Sequence, residues 1–205
     1  MRILITSPIR KYYANQIEYN IDLRLIKFLN FVFGKKIKID SYFEKIINKP
    51  NLIIIAGGND IPSQAISKSD YIRNKQSNYI YNYAIKKKIP LVGICYGAQF
   101  VGYKNKFSFK KYKLIKPHII KLNNKIIYFK EKSLKVNSFK NLIIKKTNNS
   151  FKDLFFAKDK SVECFLSKNK KILGIMWHPE RYTKYKKIDK EIFKKFYDNY
   201  NVMCR

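Results

Sequence analysis

The sequence predicts an α/β fold: an open, mainly parallel sheet flanked by helices, with antiparallel strands added in the second half. Three observations carry this expectation. Strand-like and helix-like patterns alternate through the first half of the chain. The run Leu52-Ile-Ile-Ile-Ala56 is continuously apolar and rich in β-branched residues, as a strand buried on both faces should be. Four of the seven glycines sit in two clusters, each just after such a run. That is the sheet edge where open α/β folds bind ligands.

The elements follow in order. Arg2-Ile-Leu-Ile-Thr6 reads as a first strand. Ile17, Ile21, Leu25, Phe28 and Val32 recur at helical spacing, with Asn15 and Glu18 as a start signal and Gly34 as a stop. Lys35 to Asp40 reads as a short strand, and Leu52 to Ala56 as a buried one. Asp70 reads as the cap of a helix through Lys88, with Ile72, Tyr79, Ile80, Tyr83 and Ala84 on one apolar face. Lys86 to Lys88 suit its C-terminal dipole, Pro90 breaks it, and Leu91 to Ile94 is the next buried strand. From about residue 112 the segments become short and strand-like: Leu114 to Leu122, Lys125 to Phe129, Leu142 to Lys145, Asp153 to Ala157, Ser161 to Leu166 and Ile172 to Trp177. Asn-Asn pairs at 123–124 and 148–149 mark turns. A last amphipathic helix runs from Asp189 to Tyr200, with Ile192, Phe193, Phe196 and Tyr197 inward.

A chain of 205 residues suits one domain spanning 1–205. Its 46% hydrophobic and 28% charged residues are the balance of a globular protein with a sizeable core. No apolar run approaches a membrane span, and the N-terminal apolar patch is too short for a signal peptide, so a cytoplasmic location is expected, with no membrane partner. Three cysteines suggest no disulfide framework. The net charge of +30 invites an anionic partner. The lysines are dispersed, however, and accompany Ile, Asn, Tyr and Phe, as an AT-rich genome would produce. Most of the charge therefore reads as compositional bias, and no specific nucleic-acid partner is expected. No metal-ligand cluster is visible, and no cofactor is implied.

The stronger glycine cluster is Gly93-Ile94-Cys95-Tyr96-Gly97-Ala98-Gln99. A nucleophile between two glycines at a strand-to-helix turn is the elbow arrangement, which projects the side chain above the sheet and favours thiolate at a helix N-terminus. Taken alone it also fits a buried structural cysteine. The second cluster of chemistry is Trp177-His178-Pro179-Glu180. A thiolate nucleophile needs a base and later an acid, and an imidazole oriented by a carboxylate supplies both. His178 and Glu180, two apart in extended backbone, share a face. His118, the other histidine, reads as structural or as pocket rim. Cys164 and Cys204 read as inert, and Trp177 as core.

The motifs G-I-C-Y-G-A-Q and W-H-P-E, in that order, resemble the class I glutamine amidotransferase superfamily. The resemblance spans the chain from the first strand to His178 and implies a flavodoxin-like sheet. Carried over by position, it makes Cys95 the nucleophile, His178 the base and Glu180 its orienting residue. The loop Ala56-Gly57-Gly58-Asn59-Asp60 matches the family's oxyanion loop, with the N–H groups of Gly58 and Tyr96 as donors. Gly57, Asn59, Gln99 and Asn137-Ser138-Phe139 fall at substrate-binding positions.

The superfamily contains glutaminase subunits, which feed ammonia to a synthase partner, and free-standing γ-glutamyl hydrolases. Three features are similar to the hydrolases: the G-G-N-D-I loop, Arg73-Asn-Lys-Gln-Ser77 at a helix start (without the acidic residues), and Val136-Asn-Ser-Phe139. Lys140-Asn141-Leu142 replaces the usual His-His-Gln, which argues against a folate or polyamine substrate and places an extra cation near the pocket. The resemblance thus implies a cysteine hydrolase of a small γ-glutamyl amide, with a glutamyl-thioester intermediate. Some hydrolases of this branch release a nucleotide amide, so the resemblance, with the compact size and basicity, implies a nucleotide-linked leaving group, with Lys140 as a candidate contact for its phosphates. A glutaminase subunit is the alternative.

Overall fold

A strand with no polar side chain can leave neither face in water, so such strands settle in the middle of a sheet covered on both sides. The computed structural model describes residues 1–11, 16–42, 45–123, 129, 131–169 and 171–203. Its elements are, in chain order, β1 (Arg2–Thr6), β2 (Ile9–Lys11), β3 (Ile17–Tyr19), α1 (Leu23–Phe33), β4 (Lys38–Ser41), β5 (Leu52–Ile55), α2 (Lys68–Lys86), β6 (Leu91–Ile94) and α3 (Tyr96–Lys104). Then come β7 (Ser108–Leu114), β8 (His118–Leu122), β9 (Ser133–Val136), β10 (Lys140–Lys146), β11 (Phe151–Ala157), β12 (Val162–Ser167), β13 (Ile172–Ile175), a 3-10 turn (Pro179–Arg181) and α4 (Lys187–Met203).

Among the described residues, eleven strands form one sheet. Strands β4, β1, β5, β6 and β13 are parallel neighbours. Numbered by chain order these five run 2-1-3-4-5, the flavodoxin-like order. The sheet then continues antiparallel through β12, β11, β8 and β9, with β10 and β7 branching from β12. Period-two alternation sends Leu52 and Ile54 of β5 to one face, against α1 and α4, and Ile53 and Ile55 to the other, against α2 and α3. Among the described residues no helix is long and apolar enough to cross a membrane.

Several expectations change. Ile172 to Trp177, expected among the antiparallel additions, supplies β13, which pairs parallel with β6. The helix expected from Ile17 begins only at Leu23, because the Asp22 side chain accepts the Arg24 N–H and caps it there. Ile17–Tyr19 instead pairs antiparallel with β2, and Asn15 lies outside the described residues. In α2 the cap is Ser67, with Asp70 closing a reciprocal capping box. The face that α2 buries is also largely polar: Asp70, Arg73, Asn74 and Ser77 are inside, while Tyr79 is about half exposed. Periodicity misread it because these polar groups meet loop carbonyls and a tyrosine hydroxyl rather than aliphatic core. In the second half, β7 and β9 were not foreseen, since exposed lysines interrupt their apolar pattern. The expected strand Lys125 to Phe129 falls mostly outside the described residues.

Candidate active site

At the end of β6 the chain must turn at once into α3. Cys95 sits at that corner with φ 51° and ψ −102°, a left-handed backbone that costs a non-glycine residue of order 1–3 kcal/mol. Its neighbour explains how the turn fits. A Cβ on Gly97 would lie 2.0 Å from the Ile55 carbonyl oxygen, so only glycine lets α3 start this close to β5. The Cys95 N–H donates to the Ile175 carbonyl at 2.7 Å, binding the corner to the end of β13.

His178 leaves β13 just after Trp177 and is 2% exposed. Its Nδ1 lies 2.6 Å from Glu180 Oε1, which leaves Nε2 as the ring nitrogen available to the sulfur. His178 and Cys95 interact by charge and hydrogen bond. Burial pushes the thiol up, but the adjacent imidazolium, with help from Lys140 and Arg181, outweighs it and holds Cys95 below the ordinary thiol value. Burial likewise lowers His178, but the thiolate and Glu180 raise it to about 9. Both directions favour a thiolate–imidazolium pair over the neutral pair.

The backbone of His178 is clamped as well. The Asn137 Nδ2 donates to the His178 carbonyl and the His178 N–H donates to Asn137 Oδ1, both at 2.8 Å. The Phe139 ring meets the imidazole edge-on at 5.6 Å, and the Arg181 guanidinium lies 4.9 Å from the Phe139 ring centroid. Gly57 packs so near that a Cβ there would stand 2.5 Å from His178 Cε1.

The loop after β5 is held by a buried cation. Arg73, fully buried, donates to the Ser7 carbonyl at 2.6 Å and the Ala56 carbonyl at 2.9 Å. It lies over the Tyr96 ring, whose hydroxyl donates to Asn74 Oδ1 or Ser77 Oγ. Asn59, with φ 66°, accepts from the Ile9 N–H and donates to the Ile9 carbonyl. It therefore fastens the β2–β3 hairpin to the loop. Gly58, Asp60, Cys95, Tyr96, Gln99 and His178 line a cavity of about 260 Å³, with Phe139, Lys140 and Arg181 also on its wall.

The sequence-derived residues thus divide. Cys95, His178, Glu180, Gly57, Gly58 and Tyr96 come together. Gln99 and Phe139 reach the cavity, although the Gln99 amide N–H is donated to the Leu142 carbonyl. Asn137 and Ser138 do not line it; Ser138 donates to the Leu114 carbonyl and is buried. Lys140 is not a free cation for an anion: its Nζ sits 2.5 and 2.6 Å from the two oxygens of fully buried Glu163. His118 Nε2 lies 3.2 Å from the same carboxylate, away from the sulfur-bearing cavity. Trp177 is core, donating to Asp189 at 3.0 Å. Cys164 is buried, and desolvation holds its thiol well above the ordinary value. Cys204 lies outside the described residues. Sequence reasoning gave no site role to Asp60, the last residue of the quoted oxyanion loop, or to Arg181, which follows the W-H-P-E motif. It also passed over Glu163, which no local pattern marks. Among the described residues, no group of three or more His, Cys, Asp or Glu side chains is arranged to hold a metal ion.

A glycine-braced cysteine elbow facing a carboxylate-paired histidine at the edge of a 2-1-3-4-5 sheet is an amidotransferase-type arrangement. The chain belongs to the class-I glutamine amidotransferase family, whose model matches residues 12–199. It is 31% identical over 145 residues to the γ-glutamyl-CDP-amidate hydrolase of Campylobacter jejuni, covering 69% of this chain and 66% of that protein, just under two thirds of its length. In structure it is similar to a protein from Thermoplasma acidophilum described as one component of GMP synthase (TM-score 0.70, 17% identity, 99% of this chain and 95% of that one). It is also similar to a glutamine amidotransferase from Thermotoga maritima (TM-score 0.65, 16% identity, 98% and 85%).

Proposed function

We propose that the chain hydrolyses a γ-glutamyl amide, with Cys95 as nucleophile, His178 as acid and base, and Glu180 as the residue that orients the imidazole. The observation that carries this is the close pairing of Cys95 with an imidazole whose far nitrogen is 2.6 Å from Glu180. The thiolate attacks the δ-carbonyl carbon, and the N–H groups of Gly58 and Tyr96 receive the oxyanion. Such donors each lower the barrier by about 3–4 kcal/mol. As the C–N bond breaks, His178 gives its proton to the leaving nitrogen, and a glutamyl thioester remains on Cys95. Water then loses a proton to His178 and attacks the thioester. The C–S bond breaks, and glutamate and thiolate are released. Asp60, which lines the cavity, suits the α-ammonium of a glutamyl group.

The substrate we favour is γ-glutamyl-CDP-amidate, giving CDP-amidate and glutamate in capsular polysaccharide modification. The likeness to the Campylobacter jejuni hydrolase supports it. A glutaminase subunit would instead act on free glutamine and need a synthase partner. Glutamate release should be measured from the isolated chain with glutamine and with γ-glutamyl-CDP-amidate. The hydrolase reading expects turnover of the second without a partner, loss of at least about 10⁴-fold in Cys95→Ala, and a glutamyl adduct on Cys95 trapped by mass spectrometry. Glutamate release undiminished in Cys95→Ala would end it.

A further inference from the structure

In a 2-1-3-4-5 sheet the strand order reverses between the first and third parallel strands, here β1 and β5. Crevices at such reversals are where open α/β sheets take ligands. The reacting cavity does not use this place; Cys95 and His178 stand over β6 and β13. Yet the reversal is open. A cavity of about 350 Å³ lies there, floored by Ser7-Pro8 after β1 and Ala56-Gly57-Gly58 after β5. Arg10 of β2 and Arg24 at the start of α1 form its sides, and Glu180 and Arg181 its rim. It shares Gly58, Asn59 and Arg181 with the reacting cavity, so one molecule passing over Gly58 can occupy both.

The charges around this crevice do not cancel. Asp22 is taken by Arg24 at 2.8 Å and Glu180 by His178 at 2.6 Å. Arg10 makes no ion pair among the described residues, and Arg181 reaches Glu180 only at 3.6 Å through Nε. Two buried donors at the same place, Asn20 Nδ2 and Arg181 Nε, have no hydrogen-bond partner, and neither does one acceptor at the rim, Glu180 Oε2. Such groups are costly unless an acceptor meets them. The N-terminus of α1, an eleven-residue helix, adds a partial positive charge at one wall.

We infer that this crevice is the seat of a diphosphate carried by the leaving group, held between Arg10 and Arg181, with Asn20 as a neutral donor. Guanidinium forks match phosphate oxygens two at a time, and the volume is that of a small-ligand pocket. The inference deepens the proposed function and rests on it for what is attached to the diphosphate, but not for the anion site itself. It moves the phosphate contact from Lys140, which Glu163 occupies, to arginines on the other side of the Gly58 loop.

The test is calorimetric titration of the full chain, carrying Cys95→Ala to prevent turnover, with CDP and separately with inorganic pyrophosphate. Both should bind. Arg10→Gln, at an exposed position that leaves the fold intact, should weaken both about tenfold, and Arg10→Glu should weaken them further. With Cys95 restored, Arg10→Gln should raise KM for γ-glutamyl-CDP-amidate about tenfold and leave the hydrolysis of γ-glutamyl-p-nitroanilide, which has no phosphate, unchanged. Absence of pyrophosphate and CDP binding at millimolar concentration overturns the inference. Binding that both Arg10 variants leave intact does the same, and so does an equal loss on both substrates. Failure of the chain to cleave any γ-glutamyl compound removes the proposed function instead, and the pyrophosphate titration still decides the crevice.

Discussion

The parallel and antiparallel parts of the sheet serve the site differently. Ends of parallel strands deliver the groups of the candidate site: Cys95 follows β6, Gly57 and Gly58 follow β5, and His178 follows β13. These strands are apolar throughout and buried on both faces, so their ends are rigid platforms. The antiparallel extension is half wet, with strands such as β9 alternating exposed and buried residues. It sends few side chains that the proposed chemistry needs. Instead it supplies braces: Asn137 clamps the His178 backbone, Phe139 leans on the imidazole, and Lys140 and Glu163 pair beneath the cavity wall. A sheet edge that ends in water can tolerate lysine-rich strands and still contribute geometry, provided its inward residues are fully bonded.

Substitutions can break or sharpen that contrast. The largest stability effect is expected at the buried pair of the extension. Lys140→Met leaves Glu163 charged without its main partner and should cost about 3–5 kcal/mol, read from urea midpoints, while Lys140→Met with Glu163→Met should recover most of it. If the single variant is as stable as the parent, the extension is not braced by this pair. Next is the parallel side. Arg73→Leu orphans the Ser7 and Ala56 carbonyls and should cost about 2–3 kcal/mol, with kcat falling more than KM rises because the loop carrying Gly58 loosens.

Asn137 is the sharpest arbiter between bracing and binding. Asn137→Ala should lower kcat about tenfold, with KM little changed, and cost about 1–2 kcal/mol of stability. A raised KM at constant kcat would return Asn137 to substrate binding. The smallest effect is a shift along the pH axis. The thiolate persists above the lowered Cys95 value, so iodoacetamide alkylation should continue on the acid side of an ordinary thiol's midpoint. In His178→Gln the midpoint should move upward, since burial then loses its main opponent. The sign for stability follows the same pair. His178, raised from 6.5 to about 9, contributes fully below about 6.5, and its contribution is lost as pH rises through about 9. Cys95, lowered, loses its contribution as pH falls through its own value.

The sequence by itself determined four of the five parallel strands, the elbow and the His178–Glu180 couple, because each is written within a few consecutive residues; β13, expected among the antiparallel additions, pairs parallel with β6. A continuous β-branched run has one stable place in a sheet. A cysteine between glycines suits a tight strand-to-helix turn. His178 and Glu180 do pair, but across the 3-10 turn Pro179–Arg181 and not along the extended backbone that the spacing suggested. Only the tertiary structure decided the rest. Asn137 meets His178 across 41 residues, Arg73 meets Ser7 across 66, and Lys140 meets Glu163 across 23. The polar face of α2 and the crevice at the strand reversal have the same origin. Burial of a polar group depends on which distant carbonyl or carboxylate arrives to receive it, and no spacing along the chain encodes that arrival.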